Sequence, residues 1–181
     1  MTARALFLDR DGTLMVDVGY PSRPEQVELL PGAAEGLATL RDAGYRLSII
    51  SNQSGVGRGY FDATAVQAVH RRLLDLLAAR GVCIDDAEYC LHAPEDRCDC
   101  RKPSPLMIRH SAGRLGVDPA QSFMIGDKAS DIDAGRRAGC RTILLDPAGT
   151  GSTQADFTCR DWQGIVQAVL RNHDGSAADS A

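Results

Sequence analysis

The stretch Ala5-Leu6-Phe7-Leu8-Asp9-Arg10-Asp11-Gly12-Thr13 decides the fold of this chain. Its four consecutive apolar residues predict a strand that is buried on both faces, as strands of parallel sheets are. The strand ends at Asp9, and the acids and the glycine beyond it predict a polar turn at its carboxyl end. Ligands of parallel sheets bind at such ends. An acidic turn is also a common structural feature, so its meaning depends on the rest of the chain.

Outward from this stretch, candidate strands alternate with candidate helices. Further strands are predicted at 46–51, 87–91, 122–125 and 142–145. Helices are predicted at 31–43, 62–80, 105–115, 130–138 and 162–170. The alternation predicts an α/β fold, a three-layer Rossmann-like parallel sheet with helices on both faces. We expect a single domain over residues 1–172, with a disordered small and polar tail over 173–181.

Composition narrows the class of protein. The chain has 181 residues, of which 44% are apolar and 24% charged, with a net charge of −4. This balance disfavours a nucleic-acid binder, which would be basic. No apolar run approaches the ~20 residues of a membrane span, and no signal peptide is evident at the start. We therefore expect a cytoplasmic monomer without membrane or nucleic-acid partners, whose six cysteines are free thiols or metal ligands.

Polar groups follow two more predicted strands. Ser51-Asn52 ends one strand, and Gly126-Asp127-Lys128 ends another. A parallel sheet brings these ends together with Asp9 and Asp11, where carboxylates repel one another unless a cation neutralises them. Oxygen ligands favour Mg²⁺, and a hydroxyl, backbone amides and an ammonium group beside it would seat a phosphate group. The strand ends therefore predict a magnesium and phosphate site.

Soft metal ligands occur in the middle of the chain. Cys90-Leu91-His92 and Cys98-Asp99-Cys100 supply three thiols and one imidazole, a standard tetrahedral zinc set with no open position. The alternative is four unrelated residues, which their closeness in the sequence disfavours. We expect a structural zinc ion bound by Cys90, His92, Cys98 and Cys100, within a loop insert over 90–102 that presents Arg101 and Lys102 to the site.

The polar motifs together resemble the haloacid dehalogenase superfamily of phosphotransferases. The motifs are Asp9-x-Asp11-Gly12-Thr13, Ser51-Asn52, Lys102 and Gly126-Asp127-x-x-x-Asp131, in order along the chain. The resemblance implies that Asp9 is the nucleophile, Asp11 the general acid and base, and Ser51 and Lys102 the ligands of the phosphoryl oxygens. It further implies that the Asp9 and Asp127 carboxylates and the Asp11 carbonyl bind Mg²⁺. Asp131 either faces this metal or caps the following helix.

The cysteine loop narrows the resemblance. Together with Asp9-Arg10-Asp11-Gly12-Thr13 and Ser51-Asn52-Gln53-Ser54-Gly55, it is similar to the heptose-bisphosphate 7-phosphatase family. This implies a phosphoric monoester hydrolase that removes the 7-phosphate of D-glycero-D-manno-heptose 1,7-bisphosphate through an aspartyl phosphate, in nucleotide-activated heptose biosynthesis for lipopolysaccharide. Histidinol-phosphate phosphatase, a close relative with a similar zinc loop, is the alternative, as is phosphatase activity on another small sugar phosphate.

Substrate selection must come from loops, because the sequence has no room for a large cap domain. The expected substrate contacts are Asp17, Val18, Gly19, Tyr20, Asn52, Gln53, Ser54, Arg101 and Lys128. A guanidinium group matches a phosphate group well, so Arg101 is expected to bind a second phosphate and to repel the amine of histidinol phosphate. Arg58 is either an anion ligand or solvated. His70, His110 and His173 are expected at the surface, and Trp162 in the core.

Lysine usage adds a further hypothesis. Lys102 and Lys128 are the only lysines among the 20 basic residues, and both fall in the predicted site. A compact ammonium group fits among carboxylate and phosphoryl oxygens where a guanidinium group does not. We therefore expect Lys128 to pair with Asp9 or a phosphate oxygen, and replacement of either lysine by arginine to lower turnover.

Overall fold

The computed structural model describes residues 3–151 and 154–172. Its centre is a six-stranded, wholly parallel sheet with the strand order β3-β2-β1-β4-β5-β6. The strands are β1 (Arg4–Leu8), β2 (Tyr45–Asn52), β3 (Asp86–Cys90), β4 (Phe123–Gly126), β5 (Arg141–Leu145) and β6 (Phe157–Cys159). The α/β fold expected from the sequence is confirmed.

Helices cover both faces of this sheet. They are α1 (Ala33–Asp42), α2 (Ala63–Ala78), α3 (Leu106–Leu115), α4 (Ala129–Ala138) and α5 (Trp162–Arg171), with short 3₁₀ helices at Pro24–Gln26, Pro94–Asp96 and Pro119–Gln121. Apolar residues of α1, α2 and α5 form one core with the sheet, and those of α3 and α4 form a second core on the other face. The molecule therefore has the three layers that the sequence predicts.

Strand β1 connects the two cores. Leu6 and Leu8 pack into one core, while Ala5 and Phe7 pack into the other, because successive side chains of a strand point to opposite faces. The backbone N–H of Asp9 still donates to the Ile125 carbonyl at 2.9 Å, one residue beyond the strand. The chain then leaves the sheet between the ends of β2 and β4, which places Asp9 beside the motifs that follow those strands.

The predicted element boundaries differ from the observed ones by one or two residues, and one strand was missed. Strand β6 has only three residues, Phe157–Cys159, and lies at the sheet edge, so it lacks the apolar run that marks the central strands. The predicted tail over 173–181 lies outside the described residues. Within residues 3–151 and 154–172, no helix has the length and apolar character that crossing a membrane requires.

The Asp85 side chain, just before β3, links the start of this strand to α1 and to β2. Its carboxylate accepts from the Leu47 N–H at 2.8 Å, from Arg41 at 3.0 Å and from Arg46 at 2.9 Å. Burial raises the pKa of Asp85, but these donors outweigh burial and hold the pKa below its ordinary value of 3.8. The carboxylate therefore stabilises the fold above that value, and this contribution is lost as the pH falls through the lower pKa of the folded state.

Asp85→Asn is expected to lower the free energy of unfolding by about 1 to 2 kcal/mol at neutral pH. The difference from the parent protein should shrink as the pH falls toward about 2, because the parent then loses the same charge. Urea titrations over this pH range measure it, with Asp75→Asn on the exposed face of α2 as the control. A difference that stays constant with pH would contradict the assignment.

Candidate active site

Three carboxylates meet at the carboxyl end of the sheet. Oxygens of Asp9, Asp127 and Asp131 all lie within 4.8 Å of one another. Asp127 Oδ1 is buried and has no hydrogen-bond partner among the described residues. Burial, followed by the charge of Asp9, raises the pKa of Asp127 to about 7. Acids this close, with an orphaned oxygen among them, fit a divalent cation with oxygen ligands.

Gly12 makes the approach of Asp127 possible. Its φ of +85° lies in the left-handed region, and a Cβ there would stand 2.3 Å from Asp127 Oδ2. Only glycine combines this backbone angle with so close a neighbour. The glycine of the first motif therefore allows the carboxylate after β4 to reach the turn after β1.

Lys102 lies at the base of this cluster. Its side chain is almost fully buried, and Nζ donates at 2.6 Å to Asp9 Oδ1, Asp131 Oδ1 and the Ile50 carbonyl. Burial lowers the pKa of Lys102, but the charges of Asp131 and Asp9 outweigh it and raise the pKa above its ordinary value. The residue is therefore an ammonium group that holds one oxygen of Asp9.

Asn52 holds the backbone of Lys102. Its Nδ2 donates to the Lys102 carbonyl at 3.1 Å, and its Oδ1 accepts from the Lys102 N–H at 3.0 Å. The sequence predicted Asn52 as a substrate contact. It does line the cavity described below, but its amide is also a clamp between the end of β2 and the loop that carries Lys102.

Asp131 caps the following helix and also lies in the carboxylate cluster. Its Oδ2 accepts from the Lys128 backbone N–H at 3.0 Å at the start of α4, as a helix cap does. Its Oδ1 pairs with Lys102 and belongs to the carboxylate cluster. One carboxylate thus caps the helix and faces the candidate metal site.

Asp11 lies beside Asp9 and is held by two side chains. Arg10 contacts both of its carboxylate oxygens at 3.1–3.3 Å, and Gln53 Nε2 donates to Oδ2 at 2.7 Å. Burial raises the pKa of Asp11 above its ordinary value, although Arg10 acts in the opposite direction. Arg10 was not among the site residues predicted from the sequence. The available signal was its place in an acidic motif directly after a buried strand, where alternation turns it away from Asp9.

A cavity of about 250 Å³ opens over these groups. Its lining comprises Asp9, Asp11, Asp17, Gly19, Tyr20, Asn52, Gln53, Ser54, Arg101, Lys102, Lys128, Ser130 and Asp131. Most of the predicted substrate contacts are therefore brought together around Asp9 and Asp11. Polar groups from five short segments of the chain, at 9–11, 17–20, 52–54, 101–102 and 128–131, share this one cavity.

Val18 and Ser51 lie outside the cavity lining in the described part of the chain, and their predicted roles in the site stay predictions. Val18 is 46% exposed, because the turn closed by the Gly19 N–H on Asp17 Oδ1 leaves it at the loop tip. Ser51 is buried, and its hydroxyl accepts from Gln53 Nε2 at 2.9 Å. Loop conformation and strand-end depth, which the sequence does not show, account for both differences.

Lys128 has a different partner from the expected one. Its Nζ lies 3.0 Å from Asp17 Oδ2 and 3.8 Å from Asp127 Oδ2, and its side chain is 54% exposed. The predicted pairing with Asp9 is therefore not formed, and the predicted alternative, a phosphate oxygen, stays a prediction. Burial raises the pKa of Asp17, but the Gly19 N–H and Lys128 outweigh it and lower the pKa below its ordinary value. This ion pair joins the 17–20 loop to the start of α4.

The second predicted metal cluster is also assembled. Ligand atoms of Cys90, His92, Cys98 and Cys100 lie within 4.8 Å of one another. The sulfur atoms are 3.1–3.5 Å apart, and His92 Nδ1 lies 3.3 Å from the Cys100 sulfur. The three cysteines of the cluster form no disulfide bonds within the described part of the chain. Three thiols and an imidazole converging on one point fit a tetrahedral zinc ion.

The cysteine loop packs directly on the glycine-rich loop after β2. The Gly57 N–H donates to the Leu91 carbonyl at 2.9 Å. A Cβ on Gly57 would stand 2.3 Å from the Ala93 nitrogen. The Arg58 guanidinium group pairs with Glu95 at 3.5 Å. This contact does not decide between the two predictions for Arg58, an anion ligand or a solvated residue. The cysteine cluster therefore stabilises two loops of the site, the loop that carries Gln53 and the loop that carries Arg101 and Lys102.

Two residues outside the site were predicted with different success. Trp162 is buried, as expected, and its Nε1 donates to the Thr13 carbonyl at 2.9 Å. His70 was expected at the surface, but it is half-buried and its Nδ1 lies 2.7 Å from the Tyr89 hydroxyl. The difference arises because Tyr89 on β3 lies against α2, the helix that carries His70.

Comparison with known proteins gives a consistent result. The HAD-hydrolase-like family model matches residues 99–161. A D-glycero-beta-D-manno-heptose-1,7-bisphosphate 7-phosphatase from Haemophilus ducreyi is 39% identical, over 93% of this chain and 100% of the relative. A D-glycero-D-manno-heptose-1,7-bisphosphate 7-phosphatase from Thermosynechococcus vestitus is 42% identical, over 93% and 96%.

Among solved structures, the D,D-heptose 1,7-bisphosphate phosphatase of B. bronchiseptica, complexed with magnesium and phosphate, superposes with a TM-score of 0.83. It is 33% identical, and the match covers 92% of this chain and 98% of that one. Both the sequence and the fold of this chain are therefore similar to those of one group of phosphatases along nearly their whole length.

Proposed function

Because this chain belongs to the family of heptose-1,7-bisphosphate 7-phosphatases, we propose that it hydrolyses the 7-phosphate of D-glycero-D-manno-heptose 1,7-bisphosphate. The observation that carries the proposal is the placement of Asp9, held by Lys102, beside Asp11 in a cavity that Arg101 also lines. This arrangement combines a nucleophile, an acid and a further cation at a single opening.

The proposed reaction proceeds in two displacements. Asp9 attacks the phosphorus atom with the oxygen that Lys102 does not hold, and the bond from phosphorus to the sugar oxygen breaks. Asp11 donates its proton to that leaving oxygen. Water then attacks the aspartyl phosphate, Asp11 takes a proton from this water, and inorganic phosphate leaves with Asp9 restored. Lys102 supplies positive charge beside the transferring group in both steps.

Magnesium is the proposed metal of the carboxylate cluster. The Asp9 and Asp127 carboxylates and the Asp11 carbonyl would hold it, and Asp131 faces the same cluster. When bound, it would neutralise the charge of the acids and of the phosphoryl oxygens. Two observations on Asp127 support the assignment: its Oδ1 has no hydrogen-bond partner among the described residues, and its pKa is raised. A bound cation would contact this oxygen and would stabilise the ionised carboxylate.

Arg101 is the proposed reader of the second phosphate. It lines the cavity, and the one hydrogen bond of its guanidinium group to a described residue is the 3.4 Å contact of Nη1 with the His92 carbonyl. A bisphosphate offers one phosphate group to Asp9 and another to this guanidinium group, whereas the amine of histidinol phosphate would be repelled. The charge at the rim therefore favours the sugar bisphosphate over the alternative substrate.

A phosphate-release panel tests the function. The substrates are the α and β anomers of the heptose bisphosphate, heptose 7-phosphate and histidinol phosphate, each with magnesium. We expect the highest kcat/KM for a heptose bisphosphate, and Arg101→Gln should raise KM for it while changing that for heptose 7-phosphate little. Preference for histidinol phosphate would overturn the proposed substrate.

Zinc is the proposed occupant of the cysteine cluster, in a structural role. Cys98→Ser is expected to reduce bound zinc well below one ion per chain and to lower the midpoint of thermal unfolding by about 10 °C. Turnover should fall as well, since the loop carries Arg101 and Lys102. Metal analysis and calorimetry measure these changes.

The matched control is Cys83→Ser, which changes an exposed cysteine outside the cluster. It should retain the zinc content and the unfolding midpoint of the parent protein. Unchanged zinc and stability in Cys98→Ser would refute the zinc site.

A further inference from the structure

Resting on the proposed function, we propose that Arg10 is a positioning residue for the reaction. With Gln53 as its partner, it fixes the Asp11 carboxyl group in the orientation that delivers a proton to the leaving oxygen of the sugar. Arg10 does not line the cavity among the described residues, so it acts only through Asp11.

The contacts of Arg10 form a closed network around Asp11. Arg10 Nε and Nη2 contact the Asp11 carboxylate, and Arg10 Nη2 also donates to Gln53 Oε1 at 2.7 Å. The Gln53 amide then donates to Asp11 Oδ2 at 2.7 Å and to the Ser51 hydroxyl at 2.9 Å. Three side chains thus fix each other, and the carboxyl group cannot rotate without breaking several hydrogen bonds.

Burying the Arg10 side chain costs free energy, which favours a functional role for this residue over a purely structural one. The residue is 0% exposed, and its Nη1 has no hydrogen-bond partner among the described residues. The guanidinium carbon lies 5.8 Å from the centroid of the Tyr89 ring, a cation–π contact that further restricts its movement. A fully buried arginine with an unsatisfied nitrogen is poor at stabilising a core. Its planar fork does suit one task, the two-point alignment of a carboxylate.

The chemistry makes the role measurable. A sugar alkoxide needs a proton as it leaves, whereas 4-nitrophenolate leaves readily without one. Since kcat/KM reports the steps up to formation of the aspartyl phosphate, it is sensitive to Asp11 as an acid and not to the later attack of water. Misplacing Asp11 should therefore lower kcat/KM for the heptose bisphosphate far more than for 4-nitrophenyl phosphate.

The experiment compares Arg10→Met, Arg10→Lys and Gln53→Met with Asp11→Asn on both substrates. We expect Arg10→Met to lower kcat/KM for the heptose bisphosphate about tenfold to a hundredfold, and for 4-nitrophenyl phosphate less than about threefold. Arg10→Lys should not restore activity, because an ammonium group cannot contact both Asp11 oxygens and Gln53 at once. Gln53→Met should show the same selectivity and guards against misfolding of the Arg10 variants.

The matched control is Ser48→Ala, which removes the buried 2.7 Å contact with Ser111 on the other side of β2. It should affect stability and leave the ratio of the two substrates unchanged. In the Asp11→Asn background, Arg10→Met should have little further effect, because its influence passes through the missing acid.

The outcomes separate the two proposals. If Asp11→Asn lowers kcat/KM equally for both substrates, Asp11 is not the acid and the proposed mechanism fails. If Asp11→Asn discriminates between the substrates but the Arg10 and Gln53 variants do not, only the positioning role fails. Effects of Arg10→Met and Asp11→Asn that simply add would also overturn the positioning role.

Discussion

Asp9→Asn is expected to lower the rate of phosphate release at least about 1,000-fold, with no compensating change in KM. An amide cannot displace the sugar oxygen at phosphorus, and no other carboxylate of the cluster can take its place. Both carboxylate oxygens of Asp131 are engaged, Oδ1 by Lys102 and Oδ2 by the Lys128 N–H, and Asp127 is not among the described residues that line the cavity. The fold should survive, because the Lys102–Asp131 ion pair remains.

Steady-state phosphate release and circular dichroism test this expectation together. Asp133→Asn makes the same chemical change at an exposed position on α4 and should leave turnover unaltered. Hydrolysis of a sugar phosphate at a tenth of the parent rate or more by folded Asp9→Asn would remove Asp9 from the role of nucleophile.

The second large effect is expected at Lys102, and it separates the two lysines of the chain. Lys102→Arg should lower turnover at least about 100-fold and the free energy of unfolding by about 3 kcal/mol. The ammonium group is enclosed by three acceptors at 2.6 Å, and a guanidinium group is too broad for that space. Breaking a buried ionic network also leaves its carboxylates without a partner.

Lys128→Arg is the contrasting variant. The sequence predicted that this replacement also lowers turnover, but Lys128 is half-exposed and pairs with Asp17, which an arginine can also do. Turnover should therefore stay within about threefold of the parent value. Equal losses in the two variants, measured by phosphate release and urea unfolding, would contradict this separation.

Much of the site could be predicted because the fold follows from local pattern. A buried strand such as Ala5–Leu8 specifies a parallel sheet, and a parallel sheet gathers the residues after its strands at one edge. The sheet therefore brings together four polar residues, whatever course the loops take: Asp9, Asp11, Asn52 and Asp127. The cysteine cluster was predictable for a related reason, since its ligands are close in the sequence.

The errors concern contacts that depend on loop conformation and depth. The partner of Lys128 is Asp17, far away in the chain and on a loop whose course no periodicity records. Arg10 was missed because burying it requires Gln53, just after β2, and Tyr89 on β3, and neither residue marks that partnership in its own local sequence. Specific side-chain pairs across elements are set by packing, which only the structure displays.

The contact between Trp162 and the Thr13 carbonyl bears on how the enzyme is made. Strand β1 is synthesised before its neighbour β4, which begins only at Phe123, and Trp162 follows later still. Gln53 and Lys102 can contact the acidic turn earlier, but a chain that ends before Phe123 lacks both β4 and Asp127. A partial chain of that length therefore has an incomplete centre, and the contact of Trp162 with Thr13 forms last.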